Sequence, residues 1–442
     1  MRGAEVVWRL ARLLAAGRRE TDHLSGLLSV VAFAVATASL LVTAGGLQAF
    51  VERGQRAGAH QQDPGGTYVA LALLATALLV VPILTLGGVA ARLALARRDQ
   101  RLAALRLAGA TSGQVTALTL LEAATQATVG ALIGVVGYLL ALVPVGLLRF
   151  EGAPLGAGSL WLGLGTVAGV VLGIVALAVA AATSTLLRVV VTPLGVTART
   201  TPRAQSVLRL VLGLGLGVAW VLGFKEIGEA GPAVGILMLV AVVAAVNVMG
   251  PWCVQLAARI AARLARRPTT LLAARRIQDD PKTTWRSVGA LSLGVLVAAL
   301  GGAMAAAMKA HPSPETPHLA TDLVTGCAVA LTILALVAAT TSGVVHATAV
   351  YDQRETLRAQ SLAGTTLGQL RAVRRREVTL PLGVGVTVAT LQGLLLLVPV
   401  AASTLNAGAF GLLGASVVGS FVVALAAVRA SDGLVRQAVD TR

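Results

Sequence analysis

The chain has 442 residues, of which 56% are hydrophobic and only 12% are charged, and this composition excludes a soluble globular protein. The formal net charge of +17 would suit a nucleic-acid partner, but aromatic residues, on which bases stack, make up only 3% of the chain. Because the basic residues lie at the ends of long apolar runs, we assign them to the flanks of membrane helices and expect no nucleic-acid partner.

The amino-terminal segment, before position 24, predicts an amphipathic helix along the inner leaflet of a membrane. A cleavable signal peptide is the alternative interpretation of this segment. Its polar and apolar stripes are Arg2, Glu5, Arg9 and Arg12 on one side and Val6, Leu10, Leu13 and Leu14 on the other.

Ten apolar runs follow, each long enough to cross a bilayer. They predict an all-α polytopic membrane protein with about ten transmembrane helices. The runs fall at roughly 25–50, 67–91, 115–148, 158–187, 207–224, 231–256, 286–308, 321–350, 378–399 and 407–428.

The distribution of basic residues predicts the orientation of these spans. With a cytoplasmic amino terminus, the segments between spans place all but five of the 36 Lys and Arg in the cytoplasm. This asymmetry satisfies the positive-inside rule, so we expect both termini to be cytoplasmic. The five exceptions are Arg53, Arg56, Arg149, Lys225 and Lys309.

One polar segment occurs twice. Residues 97–122 resemble residues 352–377, which lie about 255 positions later in the chain. Both copies lie between predicted spans on the cytoplasmic side. A polar segment that recurs at the same place in each half of a membrane protein indicates one device used twice. The matched pairs include Leu102 with Leu357, Leu107 with Leu362, Gly109 with Gly364, Thr111 with Thr366, Gln114 with Gln369 and Glu122 with Glu377.

Each copy predicts a short surface helix, a tight turn and then a membrane helix. Gly109 can take the left-handed conformation that ends a helix, and Thr111 with Gln114 has the spacing of a capping box that begins the next one. We call residues 97–113 the first elbow and residues 352–369 the second elbow. The second elbow repeats the same signals at Gly364, Thr366 and Gln369.

The run from Leu105 to Thr111, LRLAGAT, resembles the signature of the FtsX-like permease family, the membrane subunits of type VII ABC systems. The second elbow departs from that signature, with Gln360 and Ser361 where the family has Leu and Arg. In the family this element is the coupling helix that contacts the ATPase subunit. The resemblance therefore implies an ATPase-coupling role for Arg98, Arg101, Leu102, Leu105, Arg106, Gly109 and Thr111, and for Arg354, Leu357, Arg358, Leu362, Gly364 and Thr366.

The same resemblance implies a ten-helix plan like that of the bacitracin-efflux-type permeases. Residues 1–190 would form the first four-helix half, 191–256 two linking helices and 257–442 the second half. Segment 259–286 looks like a counterpart of the amino-terminal amphipathic helix. The predicted external loops, 48–67 and 309–320 at the longest, are too short to fold a domain with its own core.

The sequence has no Gly-rich phosphate-binding loop, so ATP with magnesium is expected on a separate ATPase and no cofactor on this chain. We expect a transport subunit rather than an enzyme, in a bacterial cytoplasmic membrane. Two elbows imply two ATPase subunits for each permease chain. The expected function is extrusion of, or protection against, an amphiphilic compound such as an antimicrobial peptide or a lipid-linked antibiotic. The alternative is a signalling scaffold that regulates a membrane kinase or a cell-wall hydrolase.

Polar residues within predicted spans are the remaining candidates, since each is costly in a membrane unless it is paired or faces water. We expect Glu377 and its equivalent to pair with nearby arginines such as Arg375 and Arg376, and the two glutamines to form interhelical hydrogen bonds. The five histidines lack ligand spacing, so no metal site is expected. The candidates are Glu122, Gln126, Asn247, His346, Glu377 and Gln392.

Overall fold

The computed structural model describes residues 20–58, 64–96, 111–191, 207–223, 226, 232–310, 317–352, 359–360, 362–398, 414, 418–419, 422 and 426. Almost all of these residues are helical. The long helices are α1 (Glu20–Gly58), α2 (Pro64–Ala96), α3 (Ser112–Gly146), α4 (Gly163–Val191), α5 (Val207–Leu222), α6 (Pro232–Arg263), α7 (Pro268–Asp279), α8 (Pro281–Ala310), α9 (Leu319–Asp352) and α10 (Leu367–Leu397).

The prediction of an all-α polytopic membrane protein is confirmed. Eight of the described helices, all except α5 and α7, are long and apolar enough to cross a bilayer. The predicted fifth span corresponds to α5, whose 16 described residues measure about 24 Å. The predicted tenth span lies almost wholly outside the described residues, as does the predicted amino-terminal amphipathic helix.

The described residues form two compact units. The first contains residues 20–42, 83–96, 111–142 and 162–191; the second contains 43–58, 64–82, 143–161 and the described residues from 207 onward. The border between the units therefore passes through helices α1, α2 and α3.

Within the first unit, α3 packs closely against α1 through two glycines four residues apart. A Cβ atom added to Gly134 would lie 2.5 Å from the Ala34 carbonyl oxygen and 2.7 Å from the Thr37 Cβ. Gly130 meets Phe33 and Val30 in the same way. The backbones can approach only because these positions lack a side chain, which is how small residues associate membrane helices.

Helix α8 is the centre of the second unit. Its most apolar stretch is 83% buried, against 50% or less for every other candidate span among the described residues. It packs against α6, α9 and α10. Small residues again permit the contact: Gly385 of α10 faces Ser292 of α8, and Gly250 of α6 lies under the Trp285 ring.

A small structured cap joins α3 to α4. Strands β1 (Arg149–Phe150) and β2 (Ala153–Pro154) pair antiparallel through the turn at Glu151 and Gly152, whose φ angles are 55° and 77°. Two successive residues with positive φ match the tight hairpin turn that suits the right-handed twist of strands. The sequence did not reveal this hairpin, because strands of two residues carry no periodic pattern.

Candidate coupling site at the second elbow

The described residues include only the end of the first elbow. Thr111 caps α3 as predicted: its hydroxyl accepts from the Gln114 N–H at 3.3 Å, and the Gln114 side chain accepts from the Thr111 N–H at 3.0 Å. This reciprocal pair is a capping box. The other coupling residues proposed there, Arg98, Arg101, Leu102, Leu105, Arg106 and Gly109, lie outside the described residues.

The turn of the second elbow is described in full from Leu362 onward. Gly364 has a φ of 90°, so the predicted left-handed glycine is confirmed. The Thr365 N–H donates to the Gln360 carbonyl at 3.0 Å, the six-to-one bond that closes a Schellman motif around a C′ glycine. The preceding residues Arg354, Leu357 and Arg358 lie outside the described part of the chain.

The next helix begins immediately after this turn. Thr366 is the N-cap of α10, and Thr366 and Gln369 form the same capping box as in the first elbow, with bonds of 3.3 and 3.0 Å. Only Thr365 lies between Gly364, which ends the first helix, and Thr366, which caps the next one. Local hydrogen bonds therefore fix the direction of the chain between the two helices. From Leu362 onward the predicted tight turn and second helix are confirmed, whereas the predicted surface helix before them lies mostly outside the described residues.

Leu362 projects from this turn with 90% of its surface exposed. Two turns into α10, Leu370 and Val373 are buried instead, so the apolar side chains of α10 face the protein while Leu362 does not. Leu362 is therefore an apolar side chain open to solvent at the turn.

Arg276 of α7 links the second elbow to the membrane helix that follows it. Its Nη1 donates to the Glu377 Oε1 at 3.0 Å, and its Nη2 donates to the Gln360 Oε1 at 3.1 Å. The Arg276 and Glu377 side chains are only 16% and 20% exposed, so water screens this ion pair less than a surface pair. The guanidinium can satisfy both acceptors at once because its donors are arranged as a planar fork.

The expected partner of Glu377 was therefore wrong in detail. The sequence predicts a nearby arginine such as Arg375 or Arg376. In the structure Arg375 is exposed, and Arg376 donates to the hydroxyls of Thr269 and Thr270 in the first turn of α7. Neighbours in a helix point about 100° apart, so Glu377 and Arg376 contact different parts of α7.

Together these bonds make α7 a brace for the second elbow. One end of α7 is held by Arg376, and the other end carries Arg276 to Glu377 and Gln360. The same helix packs against α6 and α10, and the single residue Asp280 separates it from the central helix α8. Helix α7 thus connects the second elbow to α6 by packing and to α8 through the chain itself.

Another buried cation, Arg374, lies near the start of α10, closer to the elbow than Glu377. Arg374 is 6% exposed and its Nη2 donates to the His346 carbonyl on α9 at 2.8 Å. The His346 Nε2 is buried and has no hydrogen-bond partner among the described residues. Arg374 thereby ties the start of α10 to the end of α9, the two helices that flank the second elbow.

The polar residues within the spans have mostly structural roles. Gln126 accepts from the Ser29 hydroxyl of α1 at 2.8 Å, which confirms the predicted interhelical bond. Asn247 accepts from the Trp285 indole N–H at 3.4 Å. Gln392 is buried, and its Nε2 has no hydrogen-bond partner in the described part of the chain. Glu122 lies half-buried on α3.

The described residues contain no group of three or more His, Cys, Asp or Glu side chains that could hold a metal ion. Sequence reasoning also missed Arg276, Thr269 and Thr270. It did mark segment 259–286 as a counterpart of the amino-terminal segment, but it could not select one arginine of that basic segment as the partner of Glu377.

No family model matches this chain, and no curated protein matches it in sequence. The elbow geometry and the sequence repeat therefore carry the functional assignment.

Proposed function

We propose that this chain is the permease subunit of an ABC transporter of the FtsX-like type. A separate ATPase would bind ATP with magnesium, and its closure would push on the two elbows. The observation that carries the proposal is that Thr111 and Thr366, at equivalent positions of the repeated segment, both form capping boxes at the start of a membrane helix.

The exposed Leu362 supports a docking role for this repeat. It lies on a turn that is closed by a Schellman motif and a capping box. A hydrogen bond between Gln360 and Arg276 also fixes this turn to α7. A push delivered to a rigid turn moves the attached helices, whereas a push on a loose loop is absorbed by the loop. This is the mechanical property that a coupling element needs.

The proposed cargo is an amphiphilic compound, such as an antimicrobial peptide or a lipid-linked antibiotic, expelled from the outer face of a bacterial cytoplasmic membrane. The short predicted external loops favour recognition within the membrane or at its surface. Both termini would be cytoplasmic, and two ATPase subunits would serve one permease chain.

Purification of the full chain from its native membrane, in mild detergent, tests the proposal. We expect an ABC ATPase to co-purify and its hydrolysis to rise when candidate amphiphiles are added. The control is the Leu362→Asp variant, prepared in parallel. A preparation that contains a membrane kinase or a cell-wall hydrolase, and no ATPase, would favour the signalling scaffold.

A further inference from the structure

A polar cluster lies at the end of α9 opposite to the second elbow. Asp322, in the first turn of α9, is 6% exposed, and its Oδ2 accepts two hydrogen bonds. The Tyr68 hydroxyl donates at 2.7 Å, and the Glu151 N–H at the hairpin turn donates at 2.8 Å. The carboxylate also lies at a helix amino terminus, where the helix dipole favours a negative charge.

Arg53 of α1 holds the hairpin from the other side. Its guanidinium donates to the Phe150 carbonyl at 3.1 Å and to the Pro154 carbonyl at 2.5 Å, and it lies 3.7 Å from the Glu151 carboxylate. Both strands of the hairpin are thereby fixed to α1 by one side chain.

Aromatic rings complete the cluster. The Phe50 ring stacks on Tyr68 with centroids 6.2 Å apart and meets Phe150 edge-on at 5.2 Å. Aromatic pairs in these arrangements attract each other beyond the burial of their surface. The six residues Phe50, Arg53, Tyr68, Phe150, Glu151 and Asp322 thus join α1, α2 and the hairpin of the first half to α9 of the second half.

All six residues belong to the same compact unit. The border of that unit falls at Pro82 in α2 and beside Pro144 in α3, whereas in α1 it falls at Thr43, without a proline. A proline inside a helix removes one backbone hydrogen bond and is a usual position for a bend.

We propose that this cluster is a latch, a contact that opens as a unit while the helices stay folded. The chemistry of Asp322 suits both states. In the closed state its carboxylate has two donors but no cation within ion-pairing distance among the described residues; in the open state water can replace both donors. Opening would also separate the Phe50, Tyr68 and Phe150 rings, so these contacts favour the closed state. The role of the latch in transport, as the outer contact that must open, rests on the function proposed above.

Hydrogen exchange measured on the full chain in lipid nanodiscs tests the latch. Asp322→Leu keeps the size of the side chain and removes both bonds, and Tyr68→Phe removes one. We expect the amides of residues 148–156 to exchange at least tenfold faster in Asp322→Leu and by a smaller factor in Tyr68→Phe. The matched control is Thr325→Val, because the exposed Thr325 hydroxyl bonds only to the Thr321 carbonyl one turn back in α9. Unchanged hairpin exchange in Asp322→Leu would overturn the latch, and so would an equal rise throughout α9.

The same measurement on the complex with its ATPase, without nucleotide and with ATP and vanadate, tests the role in transport. Trapping with ATP and vanadate should raise the hydrogen-exchange rate of the hairpin amides in the wild type. The same treatment should leave the rate in Asp322→Leu unchanged. Full protection of the hairpin in the trapped wild type would contradict that role. If no ATPase co-purifies, the function proposed above fails, whereas the comparison of variants in the isolated chain still decides the latch.

Discussion

Arg276 and Glu377 form an ion pair at 3.0 Å between α7 and the third turn of α10, and the same guanidinium holds Gln360 in the second elbow. Removing one partner leaves a partly buried charge without its counterpart. We expect Arg276→Gln or Glu377→Gln to cost about 1.5–3 kcal/mol, the range for a hydrogen bond to a charged group. Thermal unfolding followed by tryptophan fluorescence measures the loss.

The matched control for Arg276→Gln is Arg275→Gln, because Arg275 is the exposed neighbour on the same helix. Exchanging the two charges, as Arg276→Glu with Glu377→Arg, should recover part of the stability lost by either change alone. Strict additivity of the two single charge reversals would show that the pair does not couple.

Gly364 should be the most sensitive backbone position of the second elbow. Its φ of 90° is accessible to glycine and strained for a β-branched residue, although no atom of the described residues lies within 4 Å of an added Cβ. Gly364→Val should therefore cost about 1 kcal/mol or more through the backbone alone, and Gly364→Asn less. In the complex, Gly364→Val should uncouple ATP hydrolysis from transport more than it lowers expression; we expect the same of Gly109→Val.

Gly368→Ala provides the comparison. Gly368 is exposed and lies in the first turn of α10 with helical geometry, so alanine is expected to be neutral or stabilising there. Equal effects of Gly364→Val and Gly368→Ala on coupling would contradict a special role for the turn.

Much of this architecture can be predicted from the sequence, because the sequence patterns that indicate it involve residues close together in the chain. The spans follow from hydropathy, and the caps at Thr111 and Thr366 follow from a spacing of three residues. The ion pair of Arg276 with Glu377 and the bond of Tyr68 to Asp322 are not local, since they join residues 101 and 254 positions apart. Which of many arginines or acids meet is decided by tertiary packing, and no periodicity records it. A lone acid at the start of an apolar helix, as at Asp322, was the one available hint.

Leu362→Asp tests the docking role of the second elbow. The side chain is 90% exposed, so an aspartate there should leave folding and membrane insertion unchanged, while a carboxylate buried against a partner surface is costly. We expect loss of ATPase binding in a pull-down, more completely when Leu105→Asp is added. Leu362→Met, which keeps an apolar side chain of similar size, should retain binding. Full binding by the doubly substituted chain would rule out the elbows as the interface.

The contact of α3 with α1 should tolerate no side chain at Gly134. A Cβ there would meet the Ala34 carbonyl oxygen at 2.5 Å, so Gly134→Leu forces the two helices apart. We expect a loss of about 1–3 kcal/mol, the usual cost of overpacking. Gly173→Ala is the control, because nothing described lies within 4 Å of an added Cβ at Gly173. If Gly134→Leu unfolded at the same midpoint as the wild type, α1 and α3 would not be in this contact in the membrane.

The last prediction concerns stoichiometry. ATP sites of ABC systems form between two ATPase subunits, so a working complex needs two docking points, and this chain contains both elbows. We therefore expect one 44.6 kDa permease chain with two ATPase subunits in native mass spectrometry of the solubilised complex.

The two docking points should be unequal, because Gln360 bonds to Arg276 whereas its equivalent, Leu105, cannot accept a hydrogen bond. Gln360→Leu should reduce that inequality and weaken the hold of α7 on the second elbow, while leaving the mass of the complex unchanged. A smallest ATPase-active species with two permease chains would show that one chain does not supply both docking points.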